Sequence, residues 1–336
     1  MTPRFYFLPL LAIAVLGVVS GCKPKPDRKA PSERIHEVQN LTDQALLAKV
    51  AIEDKDEDIR RAAVEKLTDE AVLAKVAVKA LEKDVRSASA ERLRNQALLG
   101  WVAAVGQDGD IRQSTFQKLT DLAVLRRVAL MGQYADIRRA AVEKVTDQAV
   151  LVKVVIEDKD NDVRHAAFKR LTDLAVFGSV ALMGQDVDIR RAAVEKLTDQ
   201  AVLVKVVTED HDDYVRLAAV EKLTDPVVLG RVALLGQDAG IRLAAVEKVT
   251  DQEVLVRVAI EDKEDSVRLA AVGKLTDQAV LVKVATEDKG DNVRRAAVEK
   301  VTDQAVLVNV AIGDKANYVR RAARDRLDNL RGSGSR

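Results

Sequence analysis

The line LTDQAVLVKVATEDKGDNVRRAAVEK, residues 275 to 300, returns almost unchanged along the chain, and this return limits the available folds more than any other feature. Leu41, Leu67, Leu93, Leu119, Val145, Leu171, Leu197, Leu223, Val249, Leu275 and Val301 open eleven copies, each 26 residues after the last and without insertion over residues 41–326. Leu327 opens a truncated copy. A fixed period in this range marks a solenoid, in which each unit buries its apolar face only by stacking on its neighbours. The unbroken period therefore predicts one elongated array in place of the two domains that 336 residues would suggest. Aromatics at 3% and charged residues at 32% fit thin layers of Val, Leu and Ala better than a deep core.

Each unit reads as two short helices. In the Leu275 copy, Thr276 or Asp277 supplies an N-cap oxygen for a first helix running to about Glu287. Val280, Leu281, Val284 and Ala285 fall on one face of it, and the tenth position of the unit is valine in all eleven copies, from Val50 to Val310. Lys49 with Glu53, Lys153 with Glu157 and Lys283 with Glu287 are i, i+4 partners on the polar strip. The turn EDKGDN, with its variants EDKD and MGQD, breaks the helix. Gly106, Gly132, Gly184 and Gly236 stand at this break and suit a left-handed C-cap. A second helix from about Asn292 to Lys300 turns Val293, Ala296, Ala297, Val298 and Val301 to one arc and Arg295 and Glu299 to the other. The expected fold class is all-α, a right-handed superhelix of eleven two-helix repeats.

One residue breaks the apolar arc. Arg60, Arg86, Arg112, Arg138, Arg164, Arg190, Arg216, Arg242, Arg268, Arg294 and Arg320 hold a single unit position inside it. An unpaired buried guanidinium is costly, so these side chains need partners. The capping aspartates, Asp277 and its equivalents, recur almost as regularly and can accept a bidentate fork, which predicts an Arg/Asp ladder tying unit to unit. An anion-binding arginine track is the competing reading.

The chain begins with a different kind of segment. Arg4 precedes an apolar run from Phe5 to Val19 that ends in Val19-Ser20-Gly21-Cys22. This resembles a bacterial lipoprotein signal peptide over residues 1–21, which implies cleavage and acylation at Cys22, the only cysteine. A plain secretory signal, or an uncleaved anchor with an incidental cysteine, is the alternative. Residues 22–32 hold three of the six prolines and read as a tether, and residues 33–40 as the second half of a degenerate unit capping the stack. Acyl chains at Cys22 would anchor the array beside a membrane without a spanning helix. Lys23 after the cysteine resembles signals sent to the outer membrane in Gram-negative bacteria, on its periplasmic face.

The short two-helix unit with Asp291-Asn292-Val293-Arg294-Arg295-Ala296-Ala297 opening its second helix resembles a HEAT-like repeat over residues 33–331. It is also similar to the leucine-rich repeat variant, whose units alternate an α-helix with a 3₁₀ helix. The resemblance implies architecture first. Arrays of this kind serve mostly as scaffolds, with HEAT-like lyases and a HEAT-like DNA glycosylase family as the enzymatic alternative.

Little else in the chain points to chemistry. Lys plus Arg number 54 against 53 Asp plus Glu, interspersed in sign, so no basic stripe suggests nucleic acid. His36, His165 and His211 share no spacing, no Gly-rich phosphate loop occurs, and acidic turns such as residues 53–58 and 209–213 lack the glycine and terminal glutamate of a calcium loop. No cofactor or metal is expected, and the predicted role is a non-catalytic scaffold for a protein or peptide in the bacterial envelope. Candidate binding positions are those where copies differ. Leu217, Leu243 and Leu269 replace Arg61, Arg139 and Arg295 on the second helix, while Trp101, Val105, Met131, Met183 and Leu235 interrupt the polar strip of the first. Half-burial by stacking is the plainer explanation of all of these.

Overall fold

The computed structural model describes residues 30–333. The signal segment, Cys22 and the tether up to residue 29 lie outside the described residues. Among those described, the chain forms 23 α-helices and one 3₁₀ turn, Leu174–Val176, with no strand. It is an α-solenoid in two compact units, one ending at Leu93 and the other beginning at Arg94. The first runs from helix Pro31–Asn40 to helix Lys83–Glu91, and the second from Gln96–Val105 to Asn317–Ser333.

Local chemistry sets each helix. In ten of the eleven first helices the side chain at the N-terminal cap is the aspartate, not the threonine. Asp277 accepts the amides of Ala279 and Val280 at 2.8 and 3.2 Å, and Asn95 does the same for Ala97 and Leu98 in the one copy lacking aspartate. The Gln278–Glu287 helix then buries Leu281, Val284 and Ala285. One residue ends it: Asp288, at φ −62 and ψ 139, still donates its N–H to Val284 O but turns the chain into extended backbone. Gly132 does the same at φ −57 and ψ 135, and no described glycine has positive φ. The left-handed cap expected at Gly106, Gly132, Gly184 and Gly236 is therefore not what glycine supplies. An extended cap accepts any residue, which is why aspartate and glycine exchange there.

The second helices are α throughout, so the 3₁₀ alternation implied by the leucine-rich repeat variant is absent; the single 3₁₀ turn opens a first helix instead. Their apolar arc is buried as expected, with Val293, Ala297 and Val298 at 0% exposure. Within each unit, a first helix packs on its own second helix, and between repeats first packs on first and second on second. Second helices approach one another more closely than first helices do over most of the second unit, as the alanines at their contact allow.

The two ends of the array differ. Residues 33–40 belong to a ten-residue helix, Pro31–Asn40, that packs on Glu57–Lys66 and buries Val38. At the other end Leu327 does not open a new unit. It lies within the 17-residue helix Asn317–Ser333, because Asp328-Asn329 follows it in place of the Thr-Asp pair that breaks the chain elsewhere. No described helix is long and apolar enough to cross a membrane.

Candidate functional site

The recurring arginine does two jobs. Within its own repeat it closes the first helix: from Arg60 to Arg320, each Nη1 donates to the carbonyl of the residue six positions earlier, at 2.5–3.1 Å. This places a cation at the negative end of the helix and pairs a carbonyl the helix leaves open. Toward the next repeat it forms a fork. Arg138, Arg190, Arg242, Arg268 and Arg294 donate Nε at 2.7–2.8 Å and Nη2 at 2.8–3.1 Å to Asp158, Asp210, Asp262, Asp288 and Asp314.

The aspartate in this fork is not the expected one. The N-cap aspartates are engaged with their own helix, whose far end lies about 15 Å away at 1.5 Å per residue. The partner is instead the turn aspartate at the fourteenth position of the following repeat. Its carboxylate also accepts an amide two residues on, such as Gly290 N at 2.7 Å on Asp288 or Ala316 N at 2.8 Å on Asp314. The hydrogen bond from Arg294 holds the Asp314 carboxyl below its ordinary value, and the same bond raises the guanidinium. At Asp262 burial pushes the carboxyl up, but the bonds from Arg242 and from the Glu264 amide outweigh it and the net direction is down. Arg34 on the N-terminal helix donates Nη2 to Asp54, an extra member of the series that its position before the first full copy concealed.

The fork fails wherever the turn residue is not aspartate. Arg60, Arg112 and Arg164 face Ala80, Gly132 and Gly184, and the buried Nε of each has no hydrogen bond. Arg112 donates Nη2 to Asp136 at 3.0 Å and lies 3.7 Å from the Tyr134 ring centre. Arg164 donates to Asn161, and Arg216, facing Gly236, turns to Asp213 within its own helix.

Two further ladders went unread in the sequence. The side-chain carbonyl of Gln278 accepts Thr302 N at 2.9 Å from the next repeat while its amide donates to Lys300 O at 3.3 Å, and Gln96, Gln148, Gln200 and Gln252 repeat the arrangement. Lys300 and Lys274 reach back to the last carbonyls of the preceding second helix, at Gly273 and Glu247, both at 2.6 Å. Burial lowers the Lys300 pKa. The period-26 recurrence of Gln and of Lys or Arg at these positions was the available signal. Of the three expected i, i+4 pairs, only Lys153 and Glu157 approach, at 3.9 Å.

The candidate binding positions separate into two sets. Leu217, Leu243 and Leu269 are half-buried on three successive second helices, not fully exposed. Beside them, three residues earlier on each helix, the usual aspartate is replaced by Tyr214, which is 70% exposed, Gly240 and Ser266. Trp101 and Val105 are half-buried, whereas Met131, Met183 and Leu235 are exposed at the ends of their first helices. These last three alternate with repeats that carry Glu157 and Glu209, so they form no continuous surface. His36, His165 and His211 belong to separate repeats, and no group of three His, Cys, Asp or Glu placed to hold a metal occurs among the described residues.

The chain matches no family model and no curated protein. Among solved structures it is similar to the X-ray structure of YibA of Escherichia coli, at 16% identity over 92% of this chain and 99% of that one, with a TM-score of 0.22. At that score the fold assignment rests on this chain's own helices.

Proposed function

We propose that the protein is a non-catalytic binding scaffold whose partner-facing surface is the second-helix face of three successive repeats, centred on Leu243. One observation carries this reading. At Leu217, Leu243 and Leu269 the outward arginine is lost together with the aspartate three residues before it, at Tyr214, Gly240 and Ser266. Losing either charge alone would leave an unbalanced face; losing both over three adjacent repeats gives a neutral, apolar strip on a surface otherwise patterned with charge. Exposed Glu221 and Glu247 border it, and exposed Arg191 and Arg295 stand at its two ends. A half-buried leucine row of this kind suits an apolar segment of a protein or peptide.

Cys22 and the proline-rich stretch after it support the second part of the proposal, that the array is tethered by a lipid to a membrane of the bacterial envelope, on the periplasmic side of the outer membrane in a Gram-negative cell. The test of both parts is crosslinking capture from envelope fractions. The intact chain is compared with Leu217→Arg/Leu243→Arg/Leu269→Arg, both matched for helicity, and with Cys22→Ser. A specific protein lost in the triple variant, together with a Cys22→Ser chain that no longer incorporates labelled palmitate or partitions with membranes, is the expected result. Identical captures from intact and triple-variant chains would rule out the leucine face.

A further inference from the structure

We infer that the junction between the repeats opening at Leu197 and Leu223 is a hinge, at which the second unit bends about the edge where one repeat links to the next. Each junction has two edges, set by the two ends of its ten-residue helices and about 15 Å apart at 1.5 Å per residue. Forks lie at the turn edge, between first and second helix, while the glutamine and lysine bonds lie at the linker edge. Forks close the turn edge on either side of this junction, Arg190 to Asp210 before it and Arg242 to Asp262 after it. At the junction itself Gly236 stands at the aspartate position, and Arg216 turns back to Asp213. The other forkless junctions of the second unit keep a charge contact there, Arg112 to Asp136 at 3.0 Å and Arg164 to Asp186 at 4.0 Å. Here the side-chain bonds that cross among the described residues are Thr224 N to Gln200 Oε1 at 2.8 Å and Lys248 Nζ to the Glu221 carbonyl, both at the linker edge.

Packing is thin on the first-helix side of the same junction. The helices Gln200–Glu209 and Pro226–Leu235 meet less closely than any other adjacent pair of first helices in the second unit. Solvent reaches their contact. Val207 is 7% exposed, against 0% for Val155, Ala181, Ala233 and Ala259 at the same unit position, and Val232 is 9% exposed, against 0% for Val180 and Val206. The second helices Asp213–Lys222 and Ala239–Lys248 pack closely by contrast. With the turn edge unbonded, the first helices loosely packed and the linker edge held, the remaining freedom is a tilt that spreads or closes the first helices about the second-helix layer. Units of a solenoid touch only their neighbours, so one weak junction concentrates the bending. Leu217 lies before the hinge, and Leu243 and Leu269 lie after it. A partner seated on all three leucines would fix the hinge angle, a consequence that rests on the proposed leucine face, whereas the hinge itself does not.

The test is pulsed electron paramagnetic resonance on the full chain, without partner, carrying Cys22→Ser so that only introduced cysteines take a spin label. The pairs Lys205→Cys/Arg257→Cys and Arg231→Cys/Lys283→Cys occupy one exposed unit position. Each pair spans two junctions, about 16–20 Å at 8–10 Å between packed helices. The first pair crosses the hinge and the second does not. A broader distance distribution is expected for the first pair. Gln200→Ala, which removes a linker-edge bond, should broaden it further and leave the second pair unchanged. Equal widths in the two pairs, or a Gln200→Ala effect that is absent or common to both, would overturn the inference.

Discussion

At the residue scale, the arginine at the twentieth position of the repeat sets how one unit holds the next. Arg268 is 1% exposed and forks onto Asp288, whose side chain is 7% exposed, so removing the acid leaves the buried Nε without a hydrogen bond and the cation with Asp265, 2.6 Å from Nη2, as its remaining carboxylate. Breaking such a pair costs about 3–5 kcal/mol, whereas losing an N-cap aspartate costs about 1 kcal/mol. Asp288→Ala should therefore destabilise the chain well beyond Asp277→Ala, although the position of Asp277 is aspartate in ten of the eleven repeats and that of Asp288 in only six. Denaturant melts of the two variants decide this, and equal losses would mean that the fork adds nothing. The acid side of the same pairs is pH-sensitive. The Asp314 and Asp262 carboxyls are held below the ordinary 3.8 when folded, so the stability they add is complete above that value and is lost as pH falls through their lower folded values. Thermal melts should show Asp314→Asn already weakened at pH 7 and losing less than the parent chain below about pH 4.

At the element scale, helix type, order and apolar faces were legible because a pattern repeated eleven times averages out local accident. Leu281, Val284 and Ala285 could be placed from spacing alone, and so could the buried arginine. Its partner could not. The capping aspartate recurs in ten of the eleven repeats and the turn aspartate in six, so regularity favours the wrong one, and only the helix length shows that the capping one lies at the wrong end. The glycines misled for a related reason: at Gly132 a helix end invites a left-handed reading, but here the turn needs no positive φ. What glycine does depends on where it sits. A Cβ on Gly100, in the helix Gln96–Val105, would lie well inside van der Waals contact of Val124 Cγ1, so Gly100→Ala should overpack the junction between two first helices and cost about 1–3 kcal/mol. Gly273, exposed near the end of the helix Asp265–Lys274, has nothing within 4 Å of its Cβ direction, and Gly273→Ala should stabilise by about 0.5–1 kcal/mol. Melting curves of the two alanine variants check both signs.

At the scale of the whole molecule, a stack whose units touch only their neighbours need not be uniformly stable, since each interface contributes its own share. Consecutive forks join Arg242 to Asp262, Arg268 to Asp288 and Arg294 to Asp314, so the repeats from residue 236 to 314 are latched without a gap. Around Gly132 and Gly184 the arginine Nε is buried and unbonded, and there the junctions hold by apolar packing, the glutamine ladder and weaker charge contacts. The leucine face straddles the boundary between these regimes, with Leu217 on the helix whose Arg216 turns back on itself and Leu269 inside the latched stretch. The most direct test of this account is native-state hydrogen exchange followed along the full chain. It should show the amides of helices Ala239–Lys248 through Gln304–Gly313 opening together and most slowly, with earlier opening in the helices on either side of Gly132 and Gly184. Uniform protection over all repeats, or the slowest exchange at the glycine turns, would contradict the claim that the forks hold the array together.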